Sequence, residues 1–285
     1  MHSAQEIVSH VESLATLPTV YHQIREQLDS PDGSIMDVTR LVSSDPALTA
    51  GVLRLVNSAF YGFGGQIDTV ERAVPILGLQ QVHDLVLAIS VSAVFDGMQA
   101  KHMDMNRFWH GSMMCALAAR ALARAADHPA AERMFVIGLL ADIGHLVMYQ
   151  TVPNLADEAQ SAASIHGEPL HLAECRIIGC DHAEVGATLM DAWKLPSCFA
   201  DVIGAQLVPR LGGERAVEAT LLHIANAIVH ADRYDEPSDV ALARIEPMMW
   251  NDIDLAPECF AKVREDAELN LAACISTFFP RLRQR

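Results

Sequence analysis

The sequence is poor in positive charge and in long uninterrupted apolar runs. Its 285 residues include 20 lysines and arginines against 36 aspartates and glutamates, which gives a net charge of −16. That balance excludes a surface that tracks nucleic-acid phosphates, because such surfaces need clustered lysine and arginine. No run reaches the ~18–20 apolar residues of a membrane span, and no signal-peptide pattern opens the chain. We therefore expect a cytoplasmic protein that binds neither nucleic acid nor membrane.

Paired cysteines are also missing. The six cysteines show no C-x-x-C spacing and stand among apolar neighbours. Such cysteines are typical of buried free thiols in a reducing compartment, and not of a zinc site or a disulfide set.

Strand patterns are absent as well, since no segment alternates apolar and polar residues over the length of a strand. Instead, short helical stretches alternate with turns rich in proline and glycine. Ser3, Asp45 and Thr69 stand where helix N-caps are expected, and Pro46 takes the first helical position after Asp45. The sequence predicts an all-α, multi-helical fold.

One stretch, residues 135–149, is apolar on nearly every face and is predicted to be a single buried helix. It nevertheless contains Asp142 and His145, and burying unpaired polar groups is costly. Gly144 lies between them and costs about 1 kcal/mol relative to alanine in a helix, which indicates a close backbone approach or a bend. We expect a polar partner for Asp142 in the core.

An ordered series of motifs in the first two thirds of the chain resembles the HDOD family, the HD-related output domain of bacterial signalling proteins. The resemblance covers about residues 13–210 and rests on Leu17-Pro18, Asp45-Pro46-Ala47-Leu48, the stretch 53–62, the stretch 67–74 and Leu77-Gly78. It implies two lobes: an N-terminal helical lobe over 1–100, and over 101–285 a degenerate HD-like helical bundle that ends in the C-terminal helices.

The resemblance also suggests where ligands of a metal site would fall. HD-type phosphohydrolases bind one or two divalent metals through a histidine, an adjacent His-Asp pair and a later aspartate. Relatives of the HD-GYP type, which hydrolyse cyclic di-GMP, add three histidines. In this sequence His110 matches the first histidine, Asp142 the aspartate of the pair, and His182 a further histidine.

The remaining ligand positions are lost. Ala141 replaces the histidine of the pair, Gln206-Leu207 replaces a His-His pair, and Asn226 replaces the last aspartate. Neutral amides are poor ligands for a transition metal. We therefore expect no metal, no cofactor and no catalytic residue. The resemblance instead implies a vestigial polar pocket of His110, Asp142 and His182, in which Asp142 pairs with one of the two histidines.

These expectations favour a non-catalytic regulatory protein that acts through contacts with signalling proteins. Two alternatives stay open. The first is a metal-dependent phosphohydrolase with a reduced ligand set, to which His145 could contribute because it lies one turn from Asp142. The second is a module that senses a nucleotide in the same pocket, since nucleotide binding needs no metal.

Overall fold

The computed structural model describes residues 1–11, 17–30, 34–57, 66–95 and 103–279. Every regular element within these ranges is helical, which confirms the predicted all-α fold. The chain divides into two compact units. The larger comprises Met1–Thr16 and Gln99–Ala267, and the smaller comprises Leu17–Met98 and Glu268–Arg285.

The α-helices are numbered in chain order, with one 3₁₀ helix at Pro209–Arg215 between α13 and α14. Their bounds are α1 Ala4–Val11, α2 Thr19–Asp29, α3 Ile35–Ser44, α4 Pro46–Val56, α5 Val70–Leu77, α6 Leu79–Phe95, α7 Met105–Ala125, α8 Ala131–Leu140, α9 Ile143–Thr151, α10 Pro153–His166, α11 Leu170–Ile177, α12 His182–Ala192, α13 Ser197–Ala205, α14 Ala216–Arg233, α15 Ser238–Leu242, α16 Pro247–Asp252 and α17 Cys259–Phe278.

Local capping signals set the helix starts in the smaller unit. Asp45 accepts hydrogen bonds from two backbone N–H groups at the start of α4, and Thr69 accepts one at the start of α5. These side chains satisfy N–H groups that have no partner within the helix. Between α5 and α6 the chain bends by 115°, and Gly78 stands at the bend with φ +83°, a conformation that favours glycine.

The first helix belongs to the larger unit. Helix α1 packs on α9 and α12 and buries Ile7, Val8 and Val11. Ser3 and Glu6 form the predicted capping box, with Ser3 Oγ accepting from the Glu6 N–H at 3.2 Å and Glu6 accepting from the Ser3 N–H at 3.1 Å. The resemblance implies lobes of about residues 1–100 and 101–285, whereas the contacts group Met1–Thr16 with Gln99–Ala267 and Glu268–Arg285 with Leu17–Met98.

The stretch 131–151 is two helices, α8 and α9, and not the single helix that the sequence predicts for 135–149. They are separated by a turn at Ala141 and Asp142. The N–H of His145 bonds to the carbonyl of Asp142 at 3.0 Å, three residues back. In a continuous helix that N–H would bond to Ala141. The break therefore frees the Ala141 carbonyl for another donor.

The stretch 131–151 is also strongly apolar. By length and composition Ala131–Thr151, with a mean hydropathy of 1.3 over its most apolar window, could cross a membrane, but 72% of that window is buried inside the protein. Helices α5 and α6 satisfy the same criteria only when taken together across their bend. Burial of this extent is what a core helix shows.

Candidate functional site

Four ionisable side chains from three helical segments meet in the larger unit. Asp142 precedes α9, His145 lies in its first turn, Glu174 comes from α11, and His182 is the first residue of α12. His145 Nε2 lies 2.9 Å from Glu174 Oε1, and His182 Nδ1 lies 2.8 Å from Glu174 Oε2. His145 Nδ1 lies 3.6 Å from Asp142 Oδ1. The two imidazole rings stack at 3.9 Å between centroids. We call these four residues the Asp142 cluster.

His145 carries the positive charge of the cluster. Burial opposes its protonation, but the charge of Glu174 and the contacts with Asp142 outweigh burial and raise the pKa of His145 from 6.5 to about 10. The two carboxylates respond in the opposite direction. Burial alone would raise the pKa of Glu174, yet the charge and close contact of His145 and the hydrogen bond with His182 hold it well below 4.5.

Asp142 follows the same rule. Burial would raise its pKa, but the close contact and charge of His145, together with the charge of Arg233, hold it well below 3.8. At neutral pH the cluster therefore holds two ionised carboxylates beside a protonated histidine. The resemblance implies that Asp142 pairs with His110 or His182, whereas in the structure its ion-pair partner is His145 in the same turn, at 3.6 Å, and His110 lies near Asp232.

Gly144 permits the close approach on which the cluster depends. A Cβ at this position would overlap the backbone carbonyl oxygen of His182, lie 2.8 Å from its carbonyl carbon and lie 2.9 Å from the N of Gly186. Because these are backbone atoms of α12, they cannot move aside as a flexible side chain could. The structure confirms the close backbone approach that the glycine indicates, and it accounts for the contact between His145 and His182.

A neutral hydrogen-bond chain lies beside the Asp142 cluster. Gln206 Nε2 donates to the freed carbonyl of Ala141 at 2.9 Å, and Asn226 Nδ2 donates to Gln206 Oε1 at 2.8 Å. Cys115 Sγ donates to Asn226 Oδ1 at 3.2 Å. Burial and the charge of Asp142 raise the pKa of the Cys115 thiol well above 9.0, so it remains a donor. The fold thus brings together three positions where the family resemblance expects metal ligands: 141, 206 and 226.

His110 lies apart from these contacts. Its side chain is 47% exposed, and its Nδ1 lies 3.8 Å from Asp232 Oδ2. Of the three residues that the sequence singles out, the structure brings together Asp142 and His182. Their two other partners, His145 and Glu174, share the cluster. Glu174 is buried among α11 residues and escapes sequence reasoning, because its partners are 29 and 8 positions away along the chain.

An open cleft of about 330 Å³ gives access to the cluster. Asp142 and His145 line it, and Arg107 and Arg233 add positive charge. Aromatic side chains of Phe108, Tyr149 and Tyr234 complete much of its wall. Charged and aromatic groups around a concave site suit a small polar ligand.

The residues do not fit the full metal set of HD-type phosphohydrolases. Ala141 offers no side-chain donor, Gln206 and Asn226 use their amides within the neutral chain, and His110 contacts Asp232. What fits a metal instead is a smaller group: one ligand atom each from Asp142, His145 and His182, all within 4.8 Å of one another.

The helical fold and this pocket define a degenerate HD-type module. A family model described as "HDOD domain" matches residues 14–209, which is more than half of the chain. The protein belongs to the HDOD family.

Relatives of known structure share the whole fold. A protein of Shewanella amazonensis, named provisionally as a phosphohydrolase, is 26% identical with a TM-score of 0.75, and the match covers 99% of both chains. An HDOD domain protein of unknown function from Geobacter sulfurreducens, 22% identical with a TM-score of 0.78 over 97% of both chains, shows the likeness in fold alone.

A sequence relative, an uncharacterized protein of Treponema pallidum, is 26% identical over 201 residues, which is 70% of this chain but 39% of that protein's length.

Proposed function

We propose that this is a non-catalytic regulatory HDOD protein of the cytoplasm that acts through contacts with signalling proteins. The observation that carries the proposal is the neutral chain from Ala141 through Gln206 and Asn226 to Cys115. Hydrolysis by an HD-type site needs a metal-bound water that ionises near neutral pH, and imidazole and carboxylate ligands hold such metals. Positions 206 and 226 carry neutral amides in place of such ligands, and these amides form hydrogen bonds with each other, with the Ala141 carbonyl and with the Cys115 thiol.

The contact surface of this proposal is a groove of about 560 Å³ on the larger unit. Val208, Val217 and Met248 line it, and Met248 is 63% exposed. Glu246 and Asp252 also line the groove and outweigh the single positive charge of Arg210, so that its net charge is negative. An apolar floor with an acidic edge complements an apolar segment flanked by lysine or arginine in a partner signalling protein.

A hydrolysis assay tests the absence of catalysis. The purified protein is loaded in turn with Mn²⁺, Fe²⁺, Zn²⁺ and Mg²⁺ and given cyclic dinucleotides, nucleotides and a chromogenic phosphodiester. We expect no more product from the native protein than from the Asp142→Asn variant. Turnover that the native protein supports and Asp142→Asn abolishes would establish a phosphohydrolase and end the proposal.

Photo-crosslinking in cells tests the contacts. A crosslinking amino acid replaces Met248 in the groove or, as the control, Leu269, which is 74% exposed and does not line the groove. We expect crosslinks from position 248, but not from 269, to a receiver, a kinase or a cyclic-nucleotide enzyme identified by mass spectrometry. No crosslink from 248, or equal products from both positions, would contradict the assigned surface.

A nucleotide-sensing module is a second candidate function, which the cleft beside Asp142 favours. Arg107 and Arg233 supply charge for phosphate, and Tyr149 and Tyr234 supply aromatic faces. A ligand that binds only the native protein raises its melting temperature. A panel of mono- and cyclic dinucleotides that produces no shift would eliminate this candidate. A shift lost in Arg107→Ala would support it.

A further inference from the structure

The two imidazoles of the Asp142 cluster each have one ring nitrogen fixed and one left over. Glu174 Oε2 forms a hydrogen bond with His182 Nδ1 at 2.8 Å, and Glu174 Oε1 lies 2.9 Å from His145 Nε2 as an ion pair that lacks hydrogen-bond alignment. The nitrogens left over are Nδ1 of His145 and Nε2 of His182, and Nδ1 of His145 lies on the side of Asp142, 3.6 Å from its Oδ1. We propose that Asp142, His145 and His182 bind a single divalent transition-metal ion, which displaces the Nδ1 proton of His145 to solvent, and that Glu174 orients both histidines for it.

The separations suit a site that closes on its ion. One ligand atom from each of the three residues lies within 4.8 Å of the others. Bonds of about 2.0–2.2 Å bring ligand atoms around Zn²⁺ to roughly 3–3.5 Å from one another. The two imidazole rings stack with their planes inclined by only 21°, so they lie side by side at the site. Rotation of the Asp142 side chain and a small shift of His145 complete the approach.

Glu174 has the position of an outer-sphere carboxylate. Histidines that bind metals commonly donate their second ring N–H to a carboxylate, which fixes the tautomer and the ring orientation. The Glu174 side chain is 3% exposed, and its Oε2 also accepts the backbone N–H of His182 at 3.1 Å. The absence of a side chain at Gly144 allows α9 to pack closely against α12. The ligands are therefore oriented by the fold before an ion arrives.

The ligand types select the class of metal. Two imidazole nitrogens and one carboxylate oxygen suit Zn²⁺ or Fe²⁺, whereas Mg²⁺ and Ca²⁺ prefer ligand sets made of oxygen. Three protein ligands leave at least one coordination position open. Asp142 and His145 line the cleft of about 330 Å³, so the ion can enter from there and water or an anion can take the open position.

This site differs from the ligand pattern that the family resemblance implies. His145 replaces His110, which lies on Asp232 instead. A second, bridged ion has no ligands, because Gln206 and Asn226 are engaged in the neutral chain. The inference goes beyond the proposed function, since a bound ion without the bridged pair does not by itself make a hydrolase. It also departs from the absence of a metal that the sequence predicts.

Metal titration of the full chain tests the inference. Chelator-treated, desalted protein is titrated with Zn²⁺ against a competing indicator, and Co²⁺ is then added as a spectroscopic substitute. We expect about one Zn²⁺ per chain, with Mg²⁺ giving no competition. The Co²⁺ complex should show visible bands of nitrogen and oxygen ligation. Absence of stoichiometric binding, or a thiolate-to-cobalt charge-transfer band, would overturn the assignment.

Matched variants locate the ion, with circular dichroism as the check on folding. Affinity should fall at least about 100-fold in His145→Ala and about 10–100-fold in Glu174→Gln, the range for loss of an outer-sphere partner. His110→Ala should bind like the native protein. So should Cys175→Ser, which dismantles the separate group of Cys175, Asp181 and Glu184.

Binding that survives His145→Ala but is lost in His110→Ala or Cys175→Ser would overturn the inference. If a variant fails to fold, the Co²⁺ spectrum of the native protein still distinguishes nitrogen and oxygen ligation from thiolate ligation. Absence of binding would leave the proposed function intact. Binding together with hydrolysis would support the site and end the non-catalytic proposal.

Discussion

The Glu174→Gln substitution removes the negative charge that His145 and His182 share in the interior. The Glu174 side chain is 3% exposed and lies within 2.9 Å of a nitrogen on each ring. Removing one partner of a buried ion pair costs about 3–5 kcal/mol, because it leaves the other charge uncompensated. We expect the free energy of unfolding to fall by that amount and Tm to fall by roughly 10 °C.

The pH dependence of the effect follows from the direction of each pKa. The pKa of His145 is raised from 6.5 to about 10, so its contribution to stability is complete below pH 6.5 and is lost as the pH rises towards 10. At about 1.4 kcal/mol per pH unit this amounts to about 5 kcal/mol. The pKa of Glu174 is lowered from 4.5, so its contribution is present above pH 4.5 and is lost in acid. The contribution of the His145–Glu174 pair to the stability of metal-free protein should therefore be greatest between about pH 4.5 and 6.5.

Tryptophan fluorescence during urea denaturation is the assay, with a chelator present and the pH varied from 5 to 10. The three tryptophans, Trp109, Trp193 and Trp250, all belong to the unit that holds the cluster, so the signal reports its unfolding. Glu168→Gln is the control, since its partner Arg176 is 51% exposed and such pairs contribute at most about 1 kcal/mol. The reasoning is refuted if Glu174→Gln matches this control, or if its deficit does not shrink towards pH 10.

Three further substitutions and one matched control test other contacts by urea denaturation. Gly144→Ala should cost more than about 3 kcal/mol, because its Cβ meets the backbone of α12. Gly204→Ala, whose nearest neighbour would be Ala187 Cβ at 3.3 Å, should change stability by no more than about 1 kcal/mol, and equal effects would contradict the close approach. Gln206→Leu should cost about 1–3 kcal/mol by stranding the Ala141 carbonyl, and a neutral result would mean that the neutral chain is not formed. Asp45→Ala should cost about 1 kcal/mol because it removes the N-cap of α4. Its unfolding is monitored by circular dichroism, since the smaller unit has no tryptophan. Unchanged stability would contradict the cap.

Features set by neighbours in the chain could be predicted from the sequence. The caps at Ser3, Asp45 and Thr69 depend on one side chain and the N–H groups two or three residues later, so composition at that spacing is sufficient. The same holds for the all-α class, which follows from periodicity. Helix α10, Pro153–His166, escapes prediction from the sequence because its buried face consists of three small alanines and gives a weak apolar pattern.

The Asp142 cluster could be predicted only in part. Asp142 and Gly144 stand out because a polar residue and a glycine interrupt an apolar stretch. The helix break at Ala141 gives no such signal, because the residues on both sides remain apolar. Its freed carbonyl is paired with Gln206, which lies 65 positions later in the chain. Glu174 looks like an ordinary helical glutamate until the fold places both histidines on it. Tertiary contacts of this kind leave no local signal.

The central claim is that the pocket is held by its own charges, with a protonated His145 between Asp142 and Glu174. Nitrogen-15 NMR of metal-free protein with labelled histidine measures this directly, with the His145 resonance assigned from the His145→Gln variant. We predict that both ring nitrogens of His145 remain protonated at pH 8 and titrate only near pH 10. A neutral imidazole at pH 7, with one bare ring nitrogen, would contradict the account.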